Sequence, residues 1–557
     1  MKYPKIPLAQ LILQLCKAKG ISRIVLSPGS RNAPLVIGFT RDDFFTCYSI
    51  TDERCAAFFA LGMAQQIQQP VAVVCTSGSA LLNYYPAVSE AFYSDIPLIV
   101  ISADRPSHKI DIGDGQTIRQ PGVFANHILY SAGLKEADLA YNETEINLAL
   151  NTAILQKGPV HLNVPFEEPL YEMVETCTVQ AGNISPEHKS YEWESNALQS
   201  FIQRWNTAKQ KMIIVGVLPP DSLEKRFIDF LSADGSVIVF TETTSNLHHK
   251  NFFPGIDKII APVENEASEL KALQPGLLLT FGGMVVSKKV KAFLRTYQPK
   301  VHFHIDEKKA YDTYFCLTHH FTTGINRFFD RTIPALQPVK STYRDHWLRI
   351  QEKRRAAHEA YLKTIPFSDL LAYDRIFKAI PDKHSLHSSN SATIRYTQLF
   401  EFNQRLQVFC NRGTSGIEGS TSTAIGASLT IKTSTTLLTG DLSFFYDSNA
   451  LWNHYIRPDF RIILINNRGG GIFRIISPHK HEPDFDTYFE TTHNLTAQTL
   501  CEMYGFDYYQ AQDTKTLERE LRDFYRAGHR PKLLEVFTPR TLNDEILLKY
   551  FVFLGKY

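Results

Sequence analysis

Apolar positions along the chain follow two rhythms. Leu8, Leu11, Ile12 and Leu15 recur at spacings of three and four around Gln10 and Gln14, which predicts an amphipathic first helix. Short β-branched runs then lead through small residues into helical patterns: RIVLSPGSRNAPL, VAVVCTSGSALLNYYPAVSEAF and IPLIVISADRP. A strand from about Pro159 to Val164 continues the series, and Pro165 and Pro169 are expected to end its pairing. The middle third offers KMIIVGVL, GSVIVFTE, GLLLTFGG and KVHFHID as strands. A helix from about Tyr343 to Leu362 follows, its many charges expected on a solvated face. The last third repeats the alternation in QVFCNRGTSGIEGSTSTAIGASL, TTLLTGDLSFFYDSNALW, FRIILINNRGGGIFRII and KLLEVFTP.

Such alternation builds α/β units with parallel sheets flanked by helices, and 557 residues suffice for several. Three are expected, over residues 1–180, 185–350 and 365–557. The formal net charge of +2 supplies no bulk positive field, so nucleic acid is not an expected partner and any anion must be held by local clusters. No run of roughly 18 uncharged apolar residues predicts a membrane span. The eight cysteines form no CxxC pair, hence neither a disulfide framework nor a zinc spacing, and a reducing cytoplasm is the expected location.

Candidate chemistry lies where strands run into Gly, Asp, Asn and Ser. Gly440-Asp441-Leu442-Ser443 follows TTLLTG, and Asn466-Asn467-Arg468-Gly469-Gly470-Gly471 follows RIILIN. Neighbouring strands would set the Asp441 carboxylate beside the Asn467 amide oxygen. Hard oxygens of this kind suit Mg²⁺, with the Gly469 carbonyl as a third ligand and phosphate oxygens completing the shell. The glycines let backbone approach a phosphate, which the N-terminus of the following helix would face. Each piece alone is a common turn sequence. Asp441 and Asn467 stand 26 positions apart, one strand-helix-strand unit, and the pair resembles the signature of thiamine diphosphate enzymes. Leu442 departs from the generic pattern, which has Gly.

A thiamine diphosphate enzyme needs a carboxylate beside the aminopyrimidine. Protonating one ring nitrogen yields the imino tautomer that removes the thiazolium C2 proton. Glu53 in ITDERCAAFFALGMA, where a strand gives way to an Ala-rich helix, is the candidate catalytic residue. By itself it reads as a first-turn carboxylate favoured by the helix dipole, and only in company with Asp441 and Asn467 does it read as catalytic.

SPGSRNAPL, TDER, TSGSALLNYYPAVSEA, SADRP, CNRGTSGIEG, GDLSFFYD and NNRGGGIF, in this order along the whole chain, resemble one family closely. It is the 2-succinyl-5-enolpyruvyl-6-hydroxy-3-cyclohexene-1-carboxylate synthase family of menaquinone biosynthesis, in which GDLS with Leu is the usual variant. The resemblance implies decarboxylation of 2-oxoglutarate on thiamine diphosphate, then conjugate, Stetter-like addition of the enamine to isochorismate. It implies Mg²⁺ or Mn²⁺ on Asp441, Asn467 and Gly469. Cofactor contacts are implied for Glu53, Asn390, Ile417, Asp441, Leu442, Ser443, Asn467, Gly469, Gly470, Ile472 and Phe473. Arg31, Arg105, Lys288, Arg395 and Arg412, with Ser30, Gln116 and Ser391, match substrate-binding positions. Arg suits this work because its planar fork meets a carboxylate bidentately. Arg468, Gly471 and Gly115 depart from the family pattern and carry no implied side-chain role. A homodimer or dimer of dimers with shared sites is implied as well. The alternatives are another thiamine diphosphate-dependent 2-oxo acid decarboxylase or an acetolactate-type synthase. No GxGxxG opens a helix after a strand, which disfavours a nicotinamide enzyme.

Overall fold

A computed structural model describes residues 2–187, 195–401 and 403–557, so the start of the expected middle unit lies partly outside the described residues. Three six-stranded sheets account for the architecture, and every neighbouring pair within them is parallel. The first contains, along the chain, Arg23–Leu26, Thr46–Ser49, Val71–Cys75, Leu98–Asp104, Tyr130–Gly133 and Val160–Pro165. In space its strands run second, first, third, fourth, sixth, fifth. The last sheet has the same order, built from Ser385–Ser388, Gln407–Phe409, Thr435–Gly440, Arg461–Asn466, Asp507–Ala511 and Lys532–Phe537. The middle sheet, from Lys211–Val215 to Leu317–Thr322, runs third, second, first, fourth, fifth, sixth. Central strands such as Val71–Cys75 and Leu277–Phe281 are buried at every position, because helices cover both faces of a parallel sheet.

Four local details refine the sequence reading. The first helix, Pro7–Ala18, carries Pro at its first position, where no backbone donor is needed. Gln10, which interrupts the apolar pattern, is buried: its amide donates to the Pro4 carbonyl, and its side-chain oxygen accepts from the Thr178 N–H. Pro165 closes the strand Val160–Pro165 instead of following it, since the Phe166 N–H donates to the Asp104 carbonyl and the ladder needs no donor from the proline. The charged helix spans Tyr343–Leu362, yet its Arg354 is buried and donates to the Lys258 and Ile259 carbonyls. The solvated-face reading fails at that residue because the end of the short helix Ile256–Ile260 offers unpaired carbonyls.

The first and last units meet across the helices Glu53–Ile67 and Ser420–Ser428. A Cβ on Gly62 would lie 2.0 Å from the Thr423 carbonyl oxygen, and one on Gly426 2.0 Å from that of Phe59. The two backbones therefore touch, and only glycine fits. Phe58, Phe59 and Leu61 share one core with Ile425, Leu437 and Phe444.

Candidate active site

In the last sheet the first and third strands lie side by side, the kind of topological switch point at which parallel sheets open a crevice at their carboxyl ends. Asn390 and Ser391 follow the first strand, Asp441 the third and Asn467 the fourth. A cavity of about 180 Å³ there is lined by Asn390, Ser391, Ile417, Asp441, Leu442, Ser443, Asn467, Gly469, Gly470, Ile472 and Phe473. All eleven of these lining residues are cofactor- or substrate-site positions expected from the sequence.

Asp441 is 3% exposed. Its Oδ1 accepts the Leu442 N–H at 2.7 Å and its Oδ2 the Gly469 N–H at 3.0 Å, while His493 Nε2 lies 3.4 Å from Oδ2. Among the described residues it makes no ion pair with Lys or Arg. A buried carboxylate so placed is stabilised by an added cation. Asn467 donates through Nδ2 to Asp369 Oδ2 at 3.1 Å, leaving its amide oxygen as the available acceptor. Gly469 has φ +150°, and a Cβ there would lie 2.7 Å from the Glu490 carbonyl oxygen. The Gly469 carbonyl accepts from the Gly471 N–H at 3.0 Å. The donor set is hard oxygen throughout and fits a Mg²⁺-type ion. The helix expected after the glycines is Ile472–Ile476, five residues long.

Ser443 Oγ donates to the Ile417 carbonyl at 2.5 Å and ties the Ile417 loop to the helix Asp441–Tyr446. Asp369, Tyr373 and Thr393 also line the cavity and carry no marking motif in the sequence. Burial pushes the Asp369 carboxyl up to about 6, and the nearby Asp441 carboxylate adds to the rise. In sequence Asp369 is simply an acid at a helix start, indistinguishable from a dipole-favoured residue. His493 carries no local signal at all.

Two of the basic candidates, Arg395 and Arg412, lie together where the middle unit meets the last. Val286 packs with Ile394 and Cys410 in a small apolar cluster; Lys288, the first residue of the helix Lys288–Thr296, is exposed, and the lysine whose charge meets those of Arg395 and Arg412 is Lys291, one turn further on. Behind this segment the buried Glu242 carboxylate accepts the N–H groups of Val286 and Ser287 at 2.7 and 2.8 Å. Burial pushes the Glu242 carboxyl up to about 7. Arg412 donates through Nη1 to Asn390 Oδ1 at 2.6 Å, and its buried Nε has no partner. Burial, and then the like charge of Arg412, push the Arg395 guanidinium below its ordinary value. Among the described residues none of Lys288, Arg395 and Arg412 forms an ion pair.

The remaining candidates lie along the carboxyl edge of the first sheet. Glu53 opens the helix Glu53–Ile67 behind the Asp52 cap and accepts from Asn83 Nδ2 at 3.2 Å. Arg31 is buried, donating to the Phe166 carbonyl and to Glu168, both at 3.0 Å. The Arg105 guanidinium donates to the Gly115 carbonyl at 2.9 Å and lies 4.0 Å from Glu168, so only its backbone N–H engages Asp104. Ser30 and Gln116 are exposed; Gln116, at φ +59°, donates to the Ser77 carbonyl. None of these five first-unit residues lines the cavity around Asp441. Lys288 of the middle unit apart, the candidates within one chain thus form two groups, one on the carboxyl edge of the first sheet and one on that of the last.

The family model described as "Thiamine pyrophosphate enzyme, N-terminal TPP binding domain" matches residues 6–125. Its counterpart, "Thiamine pyrophosphate enzyme, C-terminal TPP binding domain", matches residues 390–536. Among curated relatives, a 2-succinyl-5-enolpyruvyl-6-hydroxy-3-cyclohexene-1-carboxylate synthase of Christiangramia forsetii is 55% identical over 100% of both chains. Proteins of the same name from Flavobacterium psychrophilum and Porphyromonas gingivalis are 55% and 38% identical, covering 99% and 98% of this chain and 99% and 96% of their own. With full-length identity at this level and both thiamine pyrophosphate domains matched, the chain belongs to the 2-succinyl-5-enolpyruvyl-6-hydroxy-3-cyclohexene-1-carboxylate synthase family of thiamine diphosphate enzymes.

Proposed function

We propose that this protein decarboxylates 2-oxoglutarate and joins the remaining four-carbon unit to isochorismate, giving the product for which the family is named. Bound thiamine diphosphate supplies the carbon nucleophile and the electron sink for the carbon dioxide loss. The chain's part is to hold, orient and neutralise. Asp441, Asn467 and the Gly469 carbonyl would hold Mg²⁺ or Mn²⁺, and Leu442, Ser443, Gly470 and Asn390 would hold the diphosphate. Ile417, Ile472 and Phe473 form the apolar wall. Glu53 holds a proton toward the aminopyrimidine nitrogen. Arg31, Arg105, Lys288, Arg395 and Arg412, with Ser30, Gln116 and Ser391, take up the carboxylates of the two substrates.

The observation that carries this reading is the pair Arg395 and Arg412, half-buried and without ion-pair partners among the described residues, on segments that reach the cavity. Like charges brought together at a half-buried junction are stabilised by polyanionic ligands. We further propose a homodimer or dimer of dimers in which Glu53 of one copy completes the cavity of another. The separation of the two candidate groups within one chain supports this. Residence in the cytoplasm accords with eight free cysteines and with the absence, among the described residues, of a helix long and apolar enough to cross a membrane.

The test is incubation with 2-oxoglutarate, isochorismate, thiamine diphosphate and Mg²⁺, with mass analysis of the product and a parallel reaction on pyruvate. The expected result is the coupled product together with carbon dioxide. Preferential turnover of pyruvate would assign another 2-oxo acid instead.

A further inference from the structure

The segment Asn411 to Gly416 carries Arg412 and leads into Ile417, and hydrogen bonds hold it from two sides. Asn390 grips its ends, donating to the Asn411 and Gly416 carbonyls at 2.7 Å each. Its middle is held from a different sheet unit, by Glu90 on the helix Tyr85–Ser94. Glu90 is 1% exposed. Oε1 accepts the Gly413 N–H at 2.8 Å and the Ser94 hydroxyl at 2.7 Å. Oε2 accepts the Thr414 N–H at 2.7 Å and the Thr414 hydroxyl at 2.9 Å. Four donors satisfy the carboxylate with no cation among them. The loop also rests on the helix backbone: a Cβ on Gly413 would lie 2.7 Å from the Glu90 carbonyl oxygen.

A satisfied buried carboxylate can be a purely structural tie. Here three of the four donors belong to the two residues that follow Arg412. The guanidinium itself donates to Asn390, lies against the Cys410 thiol and forms no ion pair among the described residues. The backbone of the loop therefore decides where that guanidinium points. We infer that Glu90 is a positioning residue for Arg412, through which the first unit governs substrate affinity in the last. The inference rests on the proposed role of Arg412 in binding a substrate carboxylate.

Glu90→Gln keeps the shape but turns an amide N–H toward a backbone donor, so one anchor of the loop is lost. The experiment compares Glu90→Gln, Arg412→Ala and the double variant as holoenzymes, per bound thiamine diphosphate. Glu90→Gln is expected to raise, by about 5- to 30-fold, the KM of the substrate whose KM responds to Arg412→Ala. Turnover and cofactor affinity should stay within about threefold. In the Arg412→Ala background the same change should cost less than about twofold, because its route of action is already gone. A single variant within about twofold of the parent in kcat/KM overturns the inference, as does a loss of about twofold or more in the Arg412→Ala background. If Arg412→Ala itself leaves both KM values unchanged, the proposed role of Arg412 fails first. Should Glu90→Gln not fold, Thr414→Val decides: it removes only the hydroxyl bond to Oε2, and an unchanged KM then overturns the inference.

Discussion

Replacing Asp441 with Asn separates the role of this carboxylate in holding the cofactor from any role in the fold. In the free protein the carboxylate is buried, with two backbone N–H bonds and a histidine at 3.4 Å as its support. Asn keeps one accepting oxygen and relieves the buried charge, but sets an amide against the other N–H. The opposing terms are each about 1 to 3 kcal/mol, so free-protein stability should move by no more than about 2 kcal/mol in either direction. Ligand-linked stability should respond differently. At 100 times its Kd, a ligand that binds only the folded state stabilises it by about 2.7 kcal/mol. Losing a charge-assisted metal ligand costs about 1.5 to 3 kcal/mol, a rise in Kd of about 10- to 150-fold. At a 100-fold rise, the same cofactor concentration would stabilise the variant by only about 0.4 kcal/mol. The assay is urea unfolding of parent and variant with and without thiamine diphosphate and Mg²⁺, alongside direct cofactor titration. An unchanged ligand-induced shift in the variant would refute the metal-holding role.

Arg412→Ala and Arg395→Ala should each lower kcat/KM by about 10- to 150-fold per holoenzyme with cofactor affinity nearly intact, and loss of cofactor with normal kinetics per filled site would reassign them. Glu53→Gln should reduce turnover by about 10²- to 10⁴-fold, the range of lost acid–base catalysis. Mixing Glu53→Gln with Asp441→Ala chains should restore activity, because a shared site can then receive both intact residues; inactive mixed dimers, shown to be folded, would count against sharing. Burial pushes the ring pKa of His161, His358 and His387 down to about 3 from an ordinary 6.5. The unfolded chain therefore binds more protons below pH 6.5, and stability should fall on acidification from there toward pH 3. At pH 4.5 the cost is about 2 to 3 kcal/mol per ring, measurable as a falling urea midpoint that His387→Phe, which can keep the stacking on Phe409, should partly restore.

Much of this architecture is local and legible in the chain. Runs such as TTLLTG and RIILIN, ending in Gly440-Asp441 and Asn466-Asn467, mark parallel strands and the ends at which their ligands gather. Strand periodicity and small residues are properties of consecutive positions, so they suffice to put Asp441 and Asn467 at strand ends. The matching strand orders of the first and last sheets, and the different order of the middle one, are not legible in that way. Periodicity says that a strand exists but not which strand lies beside it. The same limit hides Asp369, which meets Asn467 from 98 positions away, and Glu90, which meets Gly413 across 323. It also hides that Arg354 is buried and that Glu53 lies outside the cavity around Asp441 in its own chain. Residue type and spacing determined which chemistry this chain carries. Packing between distant segments alone decided which groups meet, because burial and hydrogen-bond partners are set by whatever side chains the fold brings within a few ångströms.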